Sequence, residues 1–339
     1  MRVYYRPLVQ TGPDRPIDAL PLAGGTLWFT HAERLERGAP ARFCPASELP
    51  DDIRAALMAP RAPVCGLAMD RPRLMGILNV TPDSFSDGGL FDDPEAALAQ
   101  GQTLIADGAE ILDIGGESTR PGAELVPADL ETRRTAPVIA ALRAGGITTP
   151  ISIDTRKSDV ARAALEAGAD LINDVAAFTF DPNIARLAAD SGTPVCVMHA
   201  QGDPKTMQDA PDYANVLLDV YDFLEERVDA AVASGIPRDR VIVDPGIGFG
   251  KTLDHNLALI RGLSLFHGLG CPVLLGASRK RFIGTLGDAP QARDRMPGSV
   301  AIALEGARQG VQILRVHDIS ETRQALRLAQ AVWGSSTDA

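Results

Sequence analysis

The chain has 339 residues, of which 45% are hydrophobic and 23% charged, and its formal net charge is −11 at pH 7. This composition is typical of a globular protein that can bury a sizeable core, as one large domain or two ordinary ones. The acidic balance disfavours nucleic acid as a partner, since that needs a clustered basic face, and no apolar run approaches the roughly 20 residues of a transmembrane helix.

The first 70 residues are rich in proline and charge and carry no chemical motif. We predict one strand at residues 25–30 and a short helix at residues 51–58. Residues 1–70 are therefore expected to form a small accessory segment packed on the following domain, residues 71–339. No continuous apolar stretch follows the first basic residues, so we expect no secretory signal and a cytoplasmic protein. The four cysteines are scattered without metal-ligand spacing.

From residue 72 onward, short apolar runs alternate with longer helical stretches. The apolar runs are residues 74–78, 111–114, 151–153, 171–172, 195–198, 241–243, 273–275 and 313–316. The helical stretches include residues 94–107, 159–167, 183–190, 213–234 and 299–309. Near-continuous apolar strands separated by helices indicate a parallel sheet covered on both faces. Eight such units predict an α/β fold, a (β/α)8 TIM barrel.

The first strand ends in a polar loop, MGILNVTPDSFSDGG, which begins at Met75. Short polar side chains such as Asn79, Thr81, Asp83 and Ser84 follow the strand. Taken alone, this run is compatible with a turn-rich surface loop. Polar residues also follow nearly all of the remaining strands. In a barrel these strand ends converge on the rim where active sites lie. We therefore interpret the loop as part of a binding site.

The second strand continues into DIGGESTRPGA, which begins at Asp113. Its glycines let the backbone approach a ligand closely. Arg120, between Thr119 and Pro121, can clamp a phosphate or carboxylate with two hydrogen bonds. Viewed alone, the loop is also compatible with a solvated surface arginine.

Asp154, Asn173 and Asp244 follow the third, fourth and sixth strands. Two carboxylates and a carboxamide facing one pocket suit a flat heterocycle with an amino-pyrimidinone edge, because they accept from ring N–H and NH2 groups. Buried carboxylates without a donor are costly, and no protein partner for them is evident in the sequence.

The last strand ends are basic, and the loop before them is rich in glycine. The segment PGIGFGKT fails the phosphate-loop pattern because Pro245 occupies the first required glycine, so we interpret it as a flexible loop carrying Phe249 toward an aromatic substrate. Lys280 follows the seventh strand, and strand alternation predicts that Arg315 and His317 point inward from the eighth. Loops after strands seven and eight of such barrels frequently bind phosphate, so these residues indicate an anion site.

With these motifs assembled, the chain resembles the dihydropteroate synthase family of pterin-binding barrels. The resemblance runs from about residue 74 to the C-terminal helix and rests on GILNVTPDSFSDGG, DIGGESTRPGA, SIDTRK, IND, DPGIGFGK, GASRKRF and RVHD, in the family's order. It implies that 6-hydroxymethyl-7,8-dihydropterin diphosphate and 4-aminobenzoate are the small-molecule substrates, joined with release of pyrophosphate. It also implies a homodimer formed through helices late in the barrel.

The same resemblance implies roles for individual residues. Catalysis would rest on Asp154, Lys280, Arg315 and His317. The pterin would be held by Asp154, Asn173, Asp244 and Lys280, with Arg315 beside it. The diphosphate would be bound by Asn79, Arg315 and His317, and Asn79 would ligate Mg²⁺. The aminobenzoate pocket would be shaped by Thr119, Arg120, Pro121 and Phe249. Arg281 stands where many family members carry serine, and whether it contacts the aminobenzoate stays open.

The chemistry of these residues suits a dissociative substitution. The leaving diphosphate must be neutralised, and carboxylates favour the cationic pterin fragment before the aromatic amine attacks. A pterin-binding methyltransferase is an alternative, although it needs no diphosphate site. A non-catalytic pterin-binding relative is a second alternative, but such a protein is expected to lose loop or anion-site residues.

Overall fold

A computed structural model describes residues 2–80, 94–118, 122–202, 207 and 211–334 of the chain. Within these residues, no helix combines the length and apolar character needed to cross a membrane. The described chain divides into a short N-terminal segment built on antiparallel strands and a much larger barrel built on parallel strands.

The N-terminal segment has its own small core. Its elements are β1 (Val3–Pro7), β2 (Leu20–Pro21), β3 (Trp28–Phe29), β4 (His31–Glu36), β5 (Arg42–Pro45) and α1 (Asp51–Met58). Strands β1, β4 and β5 form one antiparallel sheet, while β2 pairs with β3. The helix predicted at residues 51–58 is confirmed, whereas the strand predicted at residues 25–30 is reduced to β3.

The barrel is built from eight parallel strands of the described chain, so the predicted (β/α)8 TIM barrel is confirmed. These strands are β6 (Arg73–Asn79), β7 (Ile111–Gly115), β8 (Ile151–Asp154), β9 (Leu171–Asp174), β10 (Val195–Met198), β11 (Val241–Asp244), β12 (Leu274–Leu275) and β13 (Ile313–Val316). Their spatial order is β11-β10-β9-β8-β7-β6-β13-β12. A parallel bridge between Val243 and Val273 joins the two ends of this order and closes the barrel.

Helices between the strands cover the outside of the barrel. They are α2 (Pro94–Asp107), α3 (Ala128–Ala144), α4 (Ser158–Glu166), α5 (Asn183–Ser191), α6 (Val216–Ala233), α7 (Leu253–Arg261), α8 (Arg281–Leu286), α9 (Met296–Arg308) and α10 (Ile319–Val332). Outward-facing strand residues such as Leu112, Ile153 and Val197 pack with helix residues in the largest apolar core. The helices therefore bury the outer face of the strands, which explains why the strands read as near-continuous apolar runs.

The lower half of the barrel interior is apolar and is closed by the N-terminal segment. Inward residues from successive strands, such as Met75, Ile111 and Cys196, form this lower layer. Val64 and Met69, which precede β6, pack into the same layer and are almost fully buried. The chain just before the first barrel strand thus acts as a stopper at the end opposite the strand carboxyl ends.

The rest of the N-terminal segment packs on the side of the barrel. The Tyr4 hydroxyl donates to Asp222 on α6 at 2.8 Å, and the Ser264 hydroxyl donates to the carbonyl of Pro7 at 2.9 Å. Arg61 is buried and donates to the carbonyl of His267 at 2.9 Å. A boundary between residues 70 and 71 stays a prediction, but these contacts show that the segment shares buried surface with the barrel.

Candidate active site

Polar side chains occupy the upper layer of the barrel interior. Side chains alternate along a strand, so residues two positions beyond the lower apolar layer also point inward. These upper inward residues are Asp113, Asp154, Asn173, Asp244 and Arg315. The strands therefore place at one end of the barrel the three side chains that the sequence predicted to face a shared pocket, together with Arg315.

Arg315 is the centre of this layer. Its Nε lies 2.6 Å from Asp113 Oδ2, and its Nη2 lies 2.8 Å from Asp154 Oδ2. Asn173 Nδ2 approaches both Asp113 oxygens at 3.4 Å, a long contact. The sequence showed no evident protein partner for the buried carboxylates, but β13 carries an arginine across the barrel to Asp154. One guanidinium fork serves two carboxylates, an arrangement that Lys could not reproduce.

Burial gives these groups unusual proton affinities. Burial, with repulsion from Asp113, raises the pKa of Asp154 to about 7 although Arg315 opposes the shift. Burial also raises the pKa of Asp244, against the opposing effect of Lys280. Burial alone would lower the pKa of Arg315, but Asp113 and Asp154 outweigh it and raise that pKa. Strongly shifted carboxyl pKa values in a polar cleft are typical of functional sites.

Lys280 lies on the other side of the layer, next to the aromatic loop. Its ammonium donates to the carbonyl of Ile247 and sits 4.4 Å from the centroid of the Phe249 ring. Burial lowers the pKa of Lys280 to about 8, although Asp244 favours its charged form. The structure therefore brings together the predicted pterin-binding residue Lys280 and the predicted aromatic contact Phe249.

Side chains hydrogen-bond the backbone of the glycine-rich loop that carries Phe249, and the flexibility of this loop stays a prediction. Each of the five successive residues 246–250 has a backbone N–H or carbonyl group that hydrogen-bonds to a side chain. The contacts are Asp244 Oδ1 with Gly246 N at 2.7 Å, Lys280 with Ile247 O, Asn256 Oδ1 with Gly248 N at 2.6 Å, Lys251 with Phe249 O at 2.9 Å and Tyr213 with Gly250 O at 2.7 Å. These side-chain hydrogen bonds provide partners for backbone groups that have none in regular secondary structure.

His317 lies at the same end of the barrel, just beyond β13. Its Nδ1 is 3.0 Å from the Ser278 hydroxyl, which also accepts from the His317 backbone N–H at 3.2 Å. Arg279 turns away from this cluster and pairs with Asp318. Arg281 is exposed as the first residue of α8. The basic residues after the last two strands therefore divide into Lys280, Arg315 and His317 within the site and two arginines engaged elsewhere or exposed.

Asn79 ends β6 and faces the space above Gly115. A Cβ atom at Gly115 would lie 3.6 Å from Asn79 Oδ1 and 3.5 Å from Asp154 Cβ, which are ordinary van der Waals distances, so both side chains border this glycine. Among the described residues, no group of three His, Cys, Asp or Glu side chains could hold a metal ion. Mg²⁺ commonly keeps several waters and binds through one or two carboxylates and substrate phosphates. Asn79 offers one amide oxygen, so an ion held here would depend on a phosphorylated substrate for its anionic ligands.

Comparison with known proteins agrees with this geometry. The family described as pterin binding enzyme matches residues 75–317. The dihydropteroate synthase of Synechocystis sp. is 45% identical over 263 residues, covering 78% of this chain and 91% of that protein.

Solved structures give the same answer. A Yersinia pestis dihydropteroate synthase in complex with a sulfonamide drug superposes with a TM-score of 0.76 at 43% identity, covering 81% of this chain and 99% of the other. A Xanthomonas albilineans dihydropteroate synthase with 4-aminobenzoic acid gives 0.75 at 49% identity, covering 80% and 98%.

The chain belongs to the dihydropteroate synthase family. It is therefore a transferase of folate synthesis, and the predicted resemblance is confirmed. The methyltransferase and the non-catalytic relative, which the sequence left open, are not supported.

Several residues that the family resemblance singled out lie outside the described part of the chain. These are Thr119, Arg120 and Pro121 of the second loop, and Thr81, Asp83 and Ser84 of the first. The base of the second loop is described, and it is anchored by Glu117. Glu117 accepts from Lys157 Nζ at 2.8 Å and from the Val126 backbone N–H at 3.0 Å, which ties the two ends of the loop together.

Asp113 is the residue of this synthase site that the sequence-based residue set omitted. It is fully buried and gives Arg315 its shortest contact, at 2.6 Å. A signal was available, because Asp113 lies two residues after Ile111 and therefore points inward from β7. A carboxylate between Leu112 and Ile114, in the middle of an apolar run, is rare unless it is paired.

Proposed function

We propose that this enzyme condenses 6-hydroxymethyl-7,8-dihydropterin diphosphate with 4-aminobenzoate to give 7,8-dihydropteroate and pyrophosphate. The observation that carries the proposal is the buried polar layer in which Arg315 joins Asp113 and Asp154. The Xanthomonas albilineans relative, solved with 4-aminobenzoic acid, supports the identity of the amine. The motif set of the resemblance supports the identity of the pterin.

The pterin lies against the upper layer in this proposal. Asp154, Asn173 and Asp244 supply the acceptors that ring N–H and exocyclic NH2 groups need, and Lys280 donates to a ring acceptor. Because these carboxylates are buried, hydrogen bonds from the ring would add to those that Asp154 receives from Arg315 and Asp244 receives from the Gly246 backbone N–H. The raised pKa of Asp244 falls again once donors from the pterin face it.

The bond between the pterin CH2 carbon and the diphosphate oxygen breaks first, and the oxygen keeps the electron pair. In this proposal Arg315 and His317 neutralise the charge that develops on this oxygen. Asp154 and Asp244 stabilise the positive charge left on the pterin fragment. The nitrogen of 4-aminobenzoate then attacks the CH2 carbon and releases a proton, and no protein nucleophile is needed.

Mg²⁺ belongs to this proposal as an ion held by Asn79 and the substrate diphosphate. When bound, it supplies further charge neutralisation at the leaving group. Phe249 and the second loop, with Thr119, Arg120 and Pro121, shape the pocket of the aminobenzoate. The proposal extends to a cytoplasmic homodimer, whose oligomeric state light scattering of the purified protein tests.

Pyrophosphate release tests the proposed reaction. The purified protein is mixed with the dihydropterin diphosphate and Mg²⁺, with and without 4-aminobenzoate, and dihydropteroate is measured in parallel. Release that depends on the amine and matches dihydropteroate formation mole for mole supports the reaction. Tight pterin binding without amine-dependent release would contradict it. Lys280→Ala serves as the inactive comparison, and its circular dichroism spectrum shows whether it is folded.

A further inference from the structure

Lys251 and His199 form a buried pair that the proposed mechanism does not use. Lys251 is 3% exposed and His199 is 6% exposed. Lys251 Nζ lies 2.9 Å from His199 Nδ1, and burial together with the charge of Lys280 lowers the pKa of Lys251. In its ammonium form Lys251 can only donate, which makes Nδ1 the acceptor. The same Nζ donates to the carbonyl of Phe249 at 2.9 Å and to that of His199 at 3.3 Å. All three ammonium hydrogens therefore have acceptors.

Histidine in this pair stays neutral. Burial and the charge of Lys251 lower the pKa of His199 to about 2, since protonation would place two cations in contact. The ring is also fixed by its neighbours, with Phe223 packed edge-on at 4.8 Å between centroids. A neutral imidazole held in one orientation is a suitable acceptor for the Lys251 ammonium.

The pair holds the glycine-rich loop against the end of β10. A Cβ at Gly246 would lie 1.9 Å from the carbonyl oxygen of His199, and a Cβ at Gly250 would lie 2.4 Å from that of Gln201. Both glycines have positive φ, 66° and 61°, which favours glycine for a second reason. The backbone of the loop therefore packs directly against the backbone of His199 and Gln201.

Phe249 connects this pair to the site. Its carbonyl is fixed by Lys251, and its ring lies 4.4 Å from the ammonium of Lys280. We infer that the Lys251–His199 pair is a positioning device that sets the Phe249 ring against Lys280 and so determines the affinity for the aromatic amine. This inference rests on the proposed function, in which Phe249 contacts 4-aminobenzoate. Errors of about 1 Å in such a contact can cost ~100-fold in rate.

A double-mutant cycle on Lys251 and Phe249 tests the inference. Lys251→Met keeps the apolar stem and removes the donors, and it is expected to raise the KM for 4-aminobenzoate about tenfold while the Kd for the pterin diphosphate changes less than about threefold. In the Phe249→Ala background, the same substitution is expected to change the KM less than about twofold, because its effect acts through the ring. A merely structural role for Lys251 would change the KM equally in both backgrounds.

Conservative variants of His199 provide a second, independent measurement if Lys251→Met does not fold. His199→Asn places an amide oxygen near the Nδ1 position and is expected to keep the KM within about twofold of the wild-type value, because the acceptor for Lys251 is retained. His199→Leu removes the acceptor and is expected to reproduce the loss. Equal KM values in these two variants would overturn the inference.

Arg61, which lies between the N-terminal segment and the barrel, supplies a matched control. It too is a buried cation that donates to three carbonyls, those of Ala56, Ala59 and His267. Arg61→Met is expected to lower thermal stability without raising the KM for 4-aminobenzoate. An equal rise of the KM in this variant would show that any buried cation has the effect, and would overturn the inference. If the wild-type protein forms no dihydropteroate, the proposed function itself fails before any variant is compared, and this inference fails with it.

Discussion

Replacement of Arg315 by methionine separates its structural contribution from its chemical one. Methionine keeps much of the stem volume but removes the guanidinium that contacts Asp113 at 2.6 Å and Asp154 at 2.8 Å. Asp113 is fully buried, so its carboxylate is left without a cation. Breaking a buried ion pair from one side typically costs about 3–5 kcal/mol.

Proton uptake limits this cost and makes it depend on pH. A carboxyl group whose pKa in the unfolded chain is about 3.9 costs about 4 kcal/mol to neutralise at pH 7, but only about 1.5 kcal/mol at pH 5. Asp154 adds little, because its pKa in the folded protein is already raised to about 7. A raised folded-state pKa gives stability that is present at low pH and lost as the pH rises. Arg315→Met is therefore expected to lower the free energy of unfolding by about 3–4 kcal/mol at pH 7 and by about 1–2 kcal/mol at pH 5.

Urea unfolding at the two pH values measures this difference. The double variant Asp113→Asn with Arg315→Met removes the remaining charge without changing its shape, and it is expected to recover about 2 kcal/mol at pH 7. Both variants are expected to lose synthesis, since neither has the guanidinium that neutralises the leaving group. Equal destabilisation at pH 5 and pH 7, or no recovery in the double variant, would refute the reasoning.

Three further outcomes follow from the site. Burial lowers the pKa of Lys280 to about 8, so its charge is lost as the pH rises and kcat/KM is expected to fall above about pH 8. Lys280→Arg is expected to move this fall to higher pH, which a pH–rate profile measures. Asn79→Ala is expected to raise the Mg²⁺ concentration for half-maximal rate about tenfold, measured by titration after chelation. Lys157→Met leaves Glu117 and Glu131 buried without their shared cation and is expected to destabilise the protein by about 3–5 kcal/mol in urea unfolding.

The barrel was predictable because its strands are buried on both faces. The apolar runs at residues 195–198 and 313–316 coincide with β10 and β13. Other strands extend further than their apolar runs, and the added residues include Asp154, Asn173 and Asp244. In these three strands the hydrophobic pattern stops at a polar side chain, but the extended backbone continues into the site. Asp113 and Arg315 instead lie within the predicted runs 111–114 and 313–316, where apolar neighbours surround them.

The N-terminal segment and the pairing inside the site were not predictable in the same way. Strands β1 and β5, with the sequences VYYRP and RFCP, are short and partly exposed, so neither period nor composition distinguishes them from loops. The contact between Asp113 and Arg315 joins residues 202 positions apart. Local sequence shows that each residue points inward, but only the closure of the barrel brings them together.

The stopper at the lower end of the barrel has a consequence for any shortened form of this enzyme. The family match begins at residue 75, yet Val64 and Met69 fill the base of the barrel ahead of it. A chain trimmed to the matched region would leave the lower apolar layer of the barrel exposed to water. This exposure is expected to destabilise the strands that also carry the polar layer. Shortened forms of the protein should therefore begin before Arg61. Because the N-terminal segment and the barrel share this packing, they are expected to unfold together in one thermal transition.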